Sequence, residues 1–147
     1  MLGEFQQALA DLVASPDFCR RVRANPDVLR HQYDLSAREH ERLVGMVNQR
    51  GMTVNCMLYR ANRLAPLALN LPQTCRALGS RLAPLLSEYV ALHPKTDVHF
   101  YIECDRFCRF LELKIDEGCD LDEQVRSALA DEAAAVRLHL VASYTAI

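Results

Sequence analysis

The sequence is short of nearly everything that marks a function at sight. It has no excess of charge: 17 Lys and Arg oppose 19 Asp and Glu, a net of -2, which excludes the basic footprint of a nucleic-acid-binding domain. No apolar run approaches the roughly 18 residues of a membrane span, and no basic segment followed by an apolar stretch opens the chain. A cytoplasmic protein without nucleic-acid or membrane partners is the expectation. Signatures for dinucleotides, nucleotide phosphates, zinc hydrolysis and serine nucleophiles are missing: there is no Gly-x-Gly-x-x-Gly, Walker loop, His-Glu-x-x-His, Gly-x-Ser-x-Gly or Cys-x-x-Cys. The 5 histidines, among them His31, His40, His93 and His139, do not cluster, whereas metal and acid–base sites need convergent partners. Nor do two convincing strands flank a turn, which makes an all-α fold the expectation.

What is present is helix punctuation. The 147 residues, half of them hydrophobic, suit a single helical domain over 1–147 with one core. A compact bundle of about six to eight helices is expected, with short helices over 1–50 packing on a helical core over 52–143. Ser15-Pro16-Asp17 reads as an N-cap, a proline at the first helical position and an acid in the first turn, and Asn25-Pro26-Asp27 repeats that start. Ser36 and Glu39 form a capping box, and Gly51 is expected to close the helix that follows. A longer helix runs over about 54–69, where Pro66 removes a backbone donor and is expected to kink or interrupt it. Leu58 and Leu64 read as its core positions. A short helix over 71–78 stops at Gly79, Ser80 caps the next, and His93-Pro94 ends that one. Asp97 starts another with Phe100, Cys104, Phe107, Cys108 and Leu111 on its buried side, although alternation over 98–102 also permits a short strand. Asp120 or Asp122 opens the last helix. The carboxylates at 116, 117, 120, 122 and 123 do not match a calcium loop and suit a helix start instead.

The 6 cysteines are Cys19, Cys56, Cys75, Cys104, Cys108 and Cys119. Without an export signal, unpaired and largely buried thiols are expected. Only Cys104 and Cys108 have ligand-like spacing, because i and i+4 share a helix face, and His99 is the nearest further donor. Those three residues define an alternative reading as a small helical metal, haem or redox protein. Of the 17 basic residues 15 are arginine, the side chain suited to bidentate carboxylate contact and to interfaces. Residues 1–81 carry 11 basic and 7 acidic groups, residues 82–147 carry 6 and 12. Salt bridging between the halves and a surface for an acidic partner both fit that asymmetry.

Chemically specific residues concentrate over 55–75. Asn55, Tyr59, Arg60, Asn62 and Arg63 offer an aromatic ring, two amides and two guanidinium forks, and Leu71, Pro72 and Thr74 follow. The set is closer to an interaction hot spot than to a catalytic constellation; the competing reading is a packed helix with solvated arginines.

From this segment onward the chain resembles the helical accessory proteins that pair with multinuclear non-haem iron oxidative enzymes in ribosomal peptide modification, as in methanobactin and thiaglutamate biosynthesis. The resemblance rests on Leu71-Pro72-Gln73-Thr74 with Leu78-Gly79, the Leu-rich helix ending at Tyr89 and Pro94, then Glu103, Phe107, Phe110 and Leu111, and finally Leu129, Asp131 and Glu132. It covers about residues 54–140. It implies a non-catalytic subunit that holds no cofactor, binds a larger iron-dependent oxidase as a heterodimer, and helps present a precursor peptide for cysteine modification. Iron would reside in the partner. Some such partners carry a winged-helix-like peptide-recognition sheet; no clear strands are found here, so a purely helical form is expected.

Overall fold

A computed structural model describes residues 3–96 and 99–145. Among them are nine α-helices and one 3-10 turn: α1 (Glu4–Ala14), α2 (Pro16–Ala24), α3 (Val28–Gln32), α4 (Ala37–Val47), α5 (Arg50–Asn70), α6 (Pro72–Leu78), the 3-10 turn Gly79–Arg81, α7 (Leu82–Leu92), α8 (Phe100–Asp116) and α9 (Glu123–Thr145). The fold is all-α, and no described helix is long and apolar enough to cross a membrane. The short strand considered over 98–102 does not form at 100–102, which lie in α8; Asp97 and Val98 lie outside the described residues.

The chain divides into two compact units, Met1–Ala61 and Asn62–Ile147. Composition pointed to one core, whereas the buried residues form two clusters, one within each unit. In the first unit α1, α2 and α4 pack on one another around Leu12, Phe18, Val22, Leu43 and Val47. Ser15 Oγ accepts from Phe18 N at 3.1 Å and starts α2. Ser36 and Glu39 cap each other reciprocally at the start of α4, through bonds of 3.3 and 2.9 Å. Arg23 Nε donates to the Val47 carbonyl at 2.9 Å, satisfying an acceptor that the end of α4 leaves without an intrahelical donor. His40 is buried, its Nε2 donating to the Pro26 carbonyl at 3.0 Å.

In the second unit α9 packs on α6 and α8, with Leu71, Leu78, Tyr89, Phe107, Leu111 and Leu129 in the core. The Asp122 carboxylate accepts from Val125 N at 2.9 Å and caps α9. Gly79 and Gly118 take positive φ, 54° and 91°, where a side chain would be strained.

Several local expectations are corrected. Gly51 sits inside α5 rather than closing α4, which ends at Val47. Ser80 lies in the 3-10 turn and the cap position of α7 falls to Arg81. Helix α5 continues through Pro66, so of the kink or interruption expected there the interruption does not occur. Leu58 and Phe100, read as core, are exposed.

Candidate functional site

The residues singled out at 55–75 separate into exposed and buried sets. Asn55, Arg60, Asn62 and Pro72 are exposed and Tyr59 is half-buried, whereas Leu71 and Thr74 are fully buried and Arg63 is 2% exposed. Arg63, Leu71 and Thr74 therefore do not belong to an outer surface, which corrects their assignment to a partner site.

Arg63 is the centre of a buried polar cluster in the second unit. Its Nε donates to Glu103 Oε1 at 2.7 Å, its Nη1 donates to the His93 carbonyl, and its guanidinium lies 5.2 Å from the centroid of the Tyr89 ring. Arg106 reaches the other Glu103 oxygen at 3.5 Å, and the Tyr89 ring meets Phe107 edge-on at 5.2 Å. Burial, with the Glu103 charge adding to it, pushes the Tyr89 phenol up; burial and the Arg106 and Arg63 charges hold His93 below the ordinary histidine range. A guanidinium is five donors that cannot lose their proton, so its removal from water requires the carboxylate, the carbonyl and the ring face together. The cluster joins α5, α7 and α8 and is structural.

Thr74 has a second structural role. The Glu132 carboxylate on α9 accepts from Gln73 N at 2.7 Å, Thr74 N at 2.8 Å and Thr74 Oγ1 at 2.6 Å. It caps α6, whose preceding residue Leu71 supplies no side-chain cap. Two segments of the resemblance, Leu71-Pro72-Gln73-Thr74 and Glu132, meet in this fold contact.

Cys104 and Cys108 lie on one buried face of α8. Cys104 Sγ donates to the Pro66 carbonyl at 3.4 Å, and burial pushes both thiols up to about 12. His99 is exposed. Among the described residues no group of three or more His, Cys, Asp or Glu is placed to hold a metal ion.

The first unit holds a cleft of about 280 Å³ lined by Pro16, Cys19, Arg20 and Arg23 from α2 and by Thr53, Cys56, Met57 and Arg60 from α5. Helical spacing explains the α5 wall, since 53, 56, 57 and 60 fall on one side of the helix. Asn55 and Tyr59 fall on another stripe, so of the residues singled out in advance Arg60 alone faces the cleft. A third stripe of α5, with Val54 at 54% and Leu58 at 56% exposure, leaves apolar surface in solvent beside Met57 at 65%. Arg23 is oriented by its bond to Val47, Arg20 pairs with Asp17 at the surface, and Arg60 has no ion-pair partner among the described residues.

At the cleft floor Cys19 and Cys56 are 2% and 5% exposed. Both thiols donate to one acceptor, the Leu12 carbonyl, at 3.1 and 3.6 Å. Burial pushes the Cys19 thiol up to about 11; neighbouring Cys56 adds to the rise and Arg23 opposes it. The cleft thus combines three guanidinium groups with a sulfur-rich apolar floor, which suits a ligand that presents carboxylates on an apolar body. The i, i+3 spacing of Arg20 and Arg23 is visible in the sequence, but nothing in it links Cys19 to Cys56, which only the packing of α2 and α5 brings to one carbonyl.

No family model, curated protein or solved structure matches this chain.

Proposed function

We propose that the chain is a non-catalytic accessory subunit that binds a multinuclear non-haem iron oxidase and helps present a ribosomally made precursor peptide for cysteine modification. The class of partner comes from the resemblance over residues 54–140. The observation that carries a binding role is the cleft between α2 and α5, with Arg20, Arg23 and Arg60 around an apolar floor. An acidic segment of the partner or precursor is the occupant this chemistry favours, because planar guanidinium forks pair with carboxylates and complementary charge speeds encounter and fixes register. Exposed Val54, Met57 and Leu58 supply the apolar contact that a charged rim alone lacks.

The test is recovery of the tagged chain from lysate of its native host, with proteins and metals measured in the same eluate. A larger iron-containing protein at near-equal amounts is expected. The variant Arg20→Glu/Arg60→Glu should weaken its retention about tenfold or more, equivalent to about 1.4 kcal/mol, with helix content unchanged because both side chains are exposed. Recovery of the chain alone, carrying stoichiometric zinc or iron, would overturn the proposal and turn attention to Cys104, Cys108 and His99.

A further inference from the structure

The cleft floor carries chemistry that the accessory role does not use. We propose that Cys19 and Cys56 form a redox-active dithiol that is oxidised within the folded chain to a Cys19–Cys56 disulfide by an anionic low-molecular-weight disulfide entering the arginine-lined cleft. The inference stands on placement. The two cysteines come from different helices, α2 and α5, yet a single carbonyl, that of Leu12, accepts from both thiols at 3.1 and 3.6 Å. That shared acceptor places the two thiols in one neighbourhood, and Cys56 is among the groups that act directly on the Cys19 thiol. Both residues also line the cleft of this unit, which is the route by which a small reagent would approach them.

The remaining cysteines lack this combination. Cys104 and Cys108 are wholly buried. Cys75 and Cys119 are half-buried, the first donating weakly to the Leu67 carbonyl and the second accepting from Arg81 Nη2 at 3.4 Å.

The walls of the cleft select the reagent. Arg20, Arg23 and Arg60 line the cleft that leads to the thiols, and their positive charge raises the local concentration of an anion there. Cys56, the slightly more exposed residue at 5% against 2%, is assigned the first attack. Its thiolate displaces one half of the small disulfide, breaking that S–S bond and forming a mixed disulfide; the released thiolate takes up the proton that Cys56 lost. Cys19 then gives its proton to solvent and attacks the Cys56 sulfur. The mixed disulfide breaks, the Cys19–Cys56 bond forms, and the second small thiolate leaves and is protonated. Two electrons and two protons pass from the protein dithiol to the small disulfide, whose two halves leave as thiols.

The isolated chain suffices for the test, so its outcome is separate from whether an iron enzyme binds. Wild-type protein is treated with oxidised glutathione, whose halves both carry carboxylates, or with cystamine, a cationic disulfide of the same reaction type, and then mapped by mass spectrometry without reduction. The expected product of oxidised glutathione is a cross-linked pair of peptides containing Cys19 and Cys56, formed about tenfold faster than with cystamine, with the gap closing at high salt. Cys19→Ser should instead accumulate a stable mixed disulfide on Cys56. Should that variant fail to fold, the wild-type map decides alone. Cys19 and Cys56 remaining as thiols while Cys75 and Cys119 are modified would overturn the dithiol; equal rates with the two reagents would overturn the selection by the arginines.

Discussion

Arg63 shows how far a single side chain's environment departs from its helical address. A guanidinium in a segment rich in polar residues has the look of a contact residue, yet this one is paired with Glu103 inside the second unit. Its removal leaves a buried carboxylate whose main partner is gone, so Arg63→Met is expected to cost about 3–5 kcal/mol. The double variant Arg63→Met/Glu103→Leu should recover most of that loss, since it also removes the charge that would be stranded. Urea denaturation of the two variants checks both values. Substituting Arg63 therefore reports on stability, and the exposed Arg20 and Arg60 are the positions at which binding is tested. Cys104 and Cys108 follow the same logic: i, i+4 spacing was legible, but the apolar surroundings that keep both thiols protonated depend on which helices cover α8.

At the scale of elements, helix starts are capped both locally and, at α6, from elsewhere in the chain. Ser15, Ser36 and Asp122 cap their own helices, and these were readable because donor and acceptor lie three residues apart. Glu132 caps α6 across 58 residues of sequence, a relation no local pattern carries. Glu132→Ala is expected to cost about 1–3 kcal/mol, because the buried Thr74 hydroxyl and the first amides of α6 lose their acceptor. Glu132→Gln, which keeps one carbonyl oxygen, should cost less; thermal unfolding of the two variants ranks them. Pro66 illustrates the converse. Its missing N–H predicted a kink or an interruption of α5; the helix is not interrupted, and the Pro66 carbonyl accepts from Asn70 Nδ2 at 2.8 Å and from Cys104 Sγ at 3.4 Å.

For the whole molecule, a network on the second unit contributes to the acidic side of the stability curve. Arg137 donates to Asp105 at 2.7 Å and forks onto both Glu112 oxygens at 3.0 and 2.9 Å, and Arg109 also donates to Asp105. Burial alone would raise the Asp105 carboxyl, but the hydrogen bonds and charges of Arg109 and Arg137 outweigh it and hold the group below its usual range. The unfolded chain therefore binds the proton more readily. The contribution of Asp105 is present in full above the ordinary aspartate value of about 3.9 and is lost as pH falls through the lower folded value. Melting temperature measured against pH should fall across that window, and Asp105→Asn should flatten this part of the curve while lowering stability at neutral pH.

The sequence by itself determined the all-α class, most helix starts and the buried stripe of α8, because caps and 3.6-residue periodicity act over one or two turns. It could not determine which polar residues lie inside. Arg63, Thr74 and Glu103 are buried because partners 30 to 58 residues away meet them, and the cleft exists because α2 and α5 bring Cys19 and Cys56 to one carbonyl. Burial and convergence are properties of packed helices, and a helix address specifies only a face; which neighbour covers that face was decided by the tertiary structure.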